Sequence, residues 1–194
     1  MSINQMAKRR CIGLLLVAAA VYGCSSGPHL EWTESRPIVG EAVIRDLGQD
    51  IETLFLAWHA LDQIHKDIKF IERGLLFDVD DRQLGYVQKA ALYVQDASVR
   101  IHHRWEQLAV MHFVRPEMRR DYITLGVNGL TSTINEIDYD LMFMDIYTPF
   151  IDNDGVRQDF KRARDQIQVN ISALETLRRK LLPFSNEIAA PLRL

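Results

Sequence analysis

The chain has almost no cysteine: two in 194 residues, Cys11 and Cys24. Two thiols cannot build a four-thiolate metal site and allow at most one disulfide. Glycine and proline are scarce, ten and six, which argues against a loop-rich all-β fold. A basic excess is missing too. Lys and Arg number 23 against 26 Asp and Glu, net −3, so nucleic acid is not expected as a partner. No apolar run approaches the ~20 residues that span a bilayer. The Gly-x-Ser-x-Gly elbow of hydrolases and a phosphate-cradling glycine loop do not occur. Neither does Glu-x-x-His, the ligand pair of di-metal helical bundles. These absences predict a protein that is not an enzyme, with no metal and no cofactor.

The N-terminus carries an export pattern. Lys8, Arg9 and Arg10 precede a short apolar run from Cys11 to Tyr22, which closes on Val21-Tyr22-Gly23-Cys24. A basic start, a short apolar centre and small residues before a cut site mark a secretory signal. Residues 21–24 resemble the lipobox of bacterial lipoproteins, with an aliphatic residue three places before the lipidated Cys. The resemblance covers the export segment only. It implies cleavage after Gly23 and acylation (diacylglyceryl, palmitate-like chains) of Cys24. Ser25 stands where Asp would favour inner-membrane retention, so the resemblance implies an outer-membrane anchor facing the periplasm. Cleavage would remove three basic residues and no acidic one, taking the net charge from −3 to −6.

Residues 24–37 read as a tether, with Ser25-Ser26-Gly27-Pro28 and a closing Pro37. Beyond it, apolar residues recur at alternating steps of three and four, the seam spacing of packed helices. The first seam is Ile44, Leu47, Ile51, Leu54, Trp58, Leu61, His65 and Ile68. The second runs Leu84, Val87, Ala91, Val94, Ser98, Ile101, Trp105, Leu108 and His112. The third is Ile123, Val127, Leu130, Ile134, Ile137, Leu141 and Met144. The fourth, with a less strict period, runs Val156, Phe160, Ala163, Ile167, Ile171, Leu174, Leu177 and Leu181. Gly74, Asp80 with Gln83, Pro116, Pro149, Asp152-Asn153-Asp154-Gly155 and Pro183 punctuate the seams. Short connections force antiparallel neighbours. The expectation is an all-α, up-down-up-down four-helix bundle over residues 38–182, with a tail over 183–194. Two long hairpins dimerising into a larger bundle are the alternative.

Antiparallel pairing about residue 77 sets levels along the bundle. It puts His65 opposite Ala90 and Ala91, and beside Asp138, Leu141, Arg162 and Ala163. A small-molecule pocket is therefore weighed at His65, Asp62, Ala91 and Asp138, against a core histidine satisfied by Asp138 or Tyr139. The same pairing puts His102 opposite Thr53. The histidines then miss one another along the axis, which disfavours a metal cluster. Thr124, Gly126, Asn128, Gly129, Thr131, Ser132 and Thr133 make the third helix weak at its centre. That stretch predicts either interdigitation with Trp105 or a kink opening a groove at Gly126 and Gly129. His102 and Glu106 read as a solvated pair.

Chain direction gathers Arg36, Arg45, Arg115, Arg119, Arg120, Arg178, Arg179, Lys180 and Arg193 at the end nearest the tether. The far tip carries Asp78, Asp80, Asp81, Asp145, Asp152, Asp154 and Asp159. Part of this is helix capping. The rest suggests a base for anionic headgroups and a tip for a partner or cation, with Asp78, Asp80, Asp81, Asp152 and Asp154 as its candidates. An EF-hand is rejected, because Phe150 and Lys161 occupy the first and last ligand positions. The expected function is a lipid-anchored envelope adapter that binds a protein partner or itself. The alternative is a ligand-sensing or carrier bundle.

Overall fold

The computed structural model describes residues 39–75 and 80–186. Four long helices form the bundle: α1 Glu41–Leu75, α2 Asp81–Ala109, α3 Arg119–Tyr147 and α4 Asp154–Leu181. Each is packed against its two neighbours round the square, with α3–α4 the thinnest of the four seams. No strand occurs among the described residues. The expected all-α four-helix bundle is the observed fold. Cys24, the signal segment, the tether, Asp78 and residues 187–194 lie outside the described residues.

The seams account for the core. Every seam residue of the third and fourth sets is buried, with Phe160 and Leu174 fully so. On α1 the aliphatic seam is buried and Trp58 and His65 are half-buried. On α2 the seam ends differently from the sequence expectation. His112 is exposed and Met111, at 1% exposure, closes the core instead. The cause is local: α2 stops at Ala109, and a 3-10 turn over Val110–Phe113 changes the angular step per residue.

The helix ends follow their capping chemistry. Asp80 Oδ1 accepts from the Gln83 backbone N–H at 2.8 Å. The Gln83 side chain does not reach back to complete a capping box; its Oε1 accepts from the Asp152 N–H at 3.0 Å. It thereby joins the α1–α2 and α3–α4 ends of the tip. Asn153 caps α4, accepting from the Val156 N–H at 3.1 Å. Pro116, Pro149 and Pro183 each sit in the 3-10 turns that begin or end a helix, where a missing N–H costs nothing.

Buried polar groups fasten the helices. Asn170 is fully buried on α4, and its Nδ2 donates to the Ala57 carbonyl of α1 at 3.0 Å. Gln166 donates to the same carbonyl at 3.0 Å. At the base, Arg119 is 5% exposed. It donates to the Val114 carbonyl at 3.1 Å, the Val39 carbonyl at 3.4 Å and the Glu41 carboxylate at 2.6 Å. The sequence placed Arg119 among the surface charges of the base, opposed to the helix dipole. It is instead an internal tie, and its hydrogen bonds offset that opposition.

Candidate functional site

The His65 neighbourhood differs from the expectation. Asp138 is exposed, and Asp140 is the buried carboxylate of that turn. Helical phase explains this: the seam through Ile137 and Leu141 turns position 138 outward by about 100° from 137. Tyr139 is 63% exposed and gives His65 no partner either. His65 Nε2 is buried without a hydrogen-bond partner. Burial first, then the Lys69 ammonium, hold the imidazole below its usual pKa. Asp62 is paired with Lys66 at 2.6 Å on α1 itself. Ala91 is fully buried.

The levels between α1 and α2 are also shifted. His102 stacks on Trp58 with ring centroids 4.2 Å apart, rather than lying at Thr53. Trp105 sits 4.8 Å from Phe55 and lies parallel to Trp58 at 6.2 Å. Side chains lean toward their own helix N-terminus. In an antiparallel pair both lean past each other, so touching residues are several positions beyond those at equal backbone height. Trp105 is thereby spent on α1, not on the small residues of α3. Leu108 and Arg104 take its place there: a Cβ at Gly126 would lie 3.5 Å from Leu108 Cδ2, and one at Gly129 would overlap the Arg104 guanidinium. α3 runs without a break through this stretch.

The α2–α3 seam holds a charge cluster that the sequence reading did not single out. Arg100 reaches Asp140 at 3.2 Å and pairs with Glu136. Desolvation, which outweighs the attraction of Arg100, lifts the Asp140 carboxyl to about 6, with Asp96 and Glu136 adding to the rise. Arg104 donates to Thr133 Oγ1 at 3.1 Å. No group of three or more His, Cys, Asp or Glu among the described residues is placed to hold a metal.

Two open cavities lie at the ends of the bundle. One, about 410 Å³, is lined by Leu75, Val87 and Ile151 with Asp80, Gln83, Asp152 and Asn153 at its polar side. The other, about 420 Å³, lies at the base among Ala42, Val43, Asp46, Leu47, Lys180 and Phe184. Neither is lined by His65, Asp62, Ala91 or Asp138. Of the tip acids, Asp80 and Asp152 come together at the first cavity. Asp80 is engaged as a cap, Asp154 pairs with Arg157, and Asp81 is exposed.

The largest departure from a plain bundle is the outward side of α3. Leu125, Tyr139, Met142, Phe143 and Ile146 are 62%, 63%, 48%, 36% and 48% exposed. Residues 139, 142, 143 and 146 follow the helical step and form one apolar strip on the half of α3 nearer the tip. Aromatic rings extend it across to α2. Phe143 stacks on Tyr93 at 5.2 Å, Tyr93 on Tyr147 at 6.2 Å, and Phe150 on Tyr86 at 5.4 Å. The Lys89 ammonium lies 5.2 Å from the Tyr147 ring centre. The signal was present in the sequence, as apolar residues of α3 that fall off the seam.

No family model, curated protein or solved structure matches the chain. No helix among the described residues is long and apolar enough to cross a membrane.

Proposed function

We propose that the protein is a non-catalytic, lipid-anchored adapter of the cell envelope, held by acylated Cys24 in the outer membrane and facing the periplasm. The export pattern supports the anchor. The observation that carries the adapter role is the exposed apolar strip Tyr139, Met142, Phe143 and Ile146 with its aromatic extension over α2. Soluble monomers rarely leave such a contiguous patch uncovered unless something binds it. Aromatic and Met side chains on a rigid helix are the residue types that supply binding energy at protein interfaces. The strip, rather than the acidic tip, is then the partner site; at the tip Asp80 is used as a cap and Asp154 in an ion pair.

Native mass spectrometry of the protein, extracted gently from its own membranes, tests this. The adapter reading expects a mass that includes acyl chains on Cys24 and a stoichiometric protein partner. The partner should be lost when Met142→Lys and Ile146→Lys are combined. An acylated monomer carrying only a small molecule would overturn it in favour of a carrier. An unmodified Cys24 would overturn the anchor.

A further inference from the structure

The turn between α2 and α3 buries and exposes the opposite of what a connecting loop ordinarily does. Val110, Phe113 and Met118 are 46%, 86% and 59% exposed, while the neighbouring Met111 is buried. Polar alternatives would cost nothing at such positions, and connections are usually polar. The turn is nevertheless rigidly built. It consists of two 3-10 turns, Val110–Phe113 and Pro116–Met118. The Val114 N–H donates to the Met111 carbonyl at 3.2 Å, and the Met118 N–H to the Arg115 carbonyl at 2.9 Å. Met111 plugs it into the core, and the buried Arg119 holds its Val114 carbonyl. Arg115 and Arg45 are exposed at the same end, with Glu117 the one exposed acid inside the turn.

The position of the turn selects its occupant. The guanidinium that holds Val114 also holds Val39 and Glu41, where the chain enters the bundle. Fourteen residues lie between Cys24 and Val39, a reach of at most about 50 Å. On the anchored reading, the tether from an acylated Cys24 joins the bundle at this end, beside Val39. We infer that the α2–α3 turn is a membrane contact: Phe113, Met118 and Val110 enter the headgroup–acyl boundary of an anionic bilayer, and Arg115 and Arg45 lie against its phosphates. The choice of a bilayer as occupant rests on the anchored reading. A single tether leaves a bundle free to swing. A second contact at the turn fixes it upright and keeps the α3 strip clear of the surface. Apolar insertion joined to basic attraction is the general form of such contacts.

The test uses residues 24–194 with Cys24→Ser, so that no acyl chain contributes; every buried residue among the described ones lies within that segment. Sedimentation with vesicles of phosphatidylglycerol and phosphatidylethanolamine is compared with phosphatidylcholine alone. The expected result is binding to the anionic vesicles that weakens with salt. Phe113→Ser with Met118→Ser should lower the partition at least tenfold, and Arg115→Gln about fivefold. Phe70→Ser, equally exposed on α1 toward the other end, should change nothing. These are surface changes, and unaltered melting curves establish that the variants are folded. Parent protein that ignores anionic vesicles, or a double variant that binds as well as the parent, overturns the inference. So does a turn that crosslinks to a protein in cells while the parent shows no vesicle binding. The acyl mass on Cys24 is read separately, so failure of the anchor and failure of the turn are distinguishable.

Discussion

α3 and α4 have nearly the same length, 29 and 28 residues, and sit side by side in the bundle. α4 is amphipathic in the ordinary way. Its seam from Val156 to Leu181 is buried and its other sides are charged, Val169 being its one large exposed apolar residue. α3 buries a seam of stricter period and then repeats apolar residues on its outward side. Packing within the bundle accounts for α4, Val169 apart. It explains only half of α3. Folding alone gives no reason to keep Tyr139, Met142 and Ile146 apolar.

That contrast can be broken by substitution. Phe160→Ala on α4 should cost about 3–5 kcal/mol, because the ring is fully buried and leaves a cavity. Tyr139→Ala or Ile146→Ala on α3 should stay within about 0.5 kcal/mol. Urea denaturation of the three variants checks both. A large loss at Tyr139 would mean that the strip is structural, not a docking face.

The α2–α3 seam should also respond to pH. Asp140 has a folded pKa of about 6, above its ordinary 3.8, so the folded state holds the proton more tightly than the unfolded one. The stability it contributes is full below about pH 3.8 and is lost as pH rises through 6. His65 works in the opposite direction. Its folded pKa is lowered, so its contribution is lost as pH falls below about 6.5. Asp140→Asn removes one term and leaves the other. The stability difference between wild type and variant should therefore move in favour of wild type by up to about 3 kcal/mol from pH 8 to pH 4. Arg100 retains Glu136 in the variant. Urea midpoints across that range measure it; a difference independent of pH would contradict the burial argument.

The α1–α4 seam offers a smaller effect. Asn170→Ala should cost about 1–3 kcal/mol by removing a buried donor to Ala57, readable as a lowered melting temperature. The smallest effect separates the two α3 glycines. Gly126→Ala should stabilise by about 1 kcal/mol, since helix propensity improves and the new methyl meets Leu108 at ordinary contact distance. Gly129→Ala should gain less, because Arg104 must move aside. Equal gains at both sites would mean that Arg104 does not lie over α3.

The bundle was legible in the sequence because seam periodicity is a local property read from three or four turns at a time. Ile123 through Met144 and Val156 through Leu181 are buried as their spacing requires. The site was less legible, for two physical reasons. Side-chain lean moves contacts away from equal backbone height, which took His102 to Trp58 and Trp105 away from Gly129. Angular phase is unforgiving as well: one position separates buried Ile137 from exposed Asp138. Arg119 could not be recognised as a buried tie, because its partners Val39 and Glu41 are about eighty positions away.

The most direct measurement is site-specific photo-crosslinking in cells, with the probe placed in turn at Tyr139, Met142 and Ile146 on α3 and at Gln158, Asp165 and Gln168 on the exposed side of α4. The account predicts one and the same protein adduct from all three α3 positions and none from α4. Adducts from α4 alone, or none from either helix, would contradict the assignment of the α3 strip as the docking face.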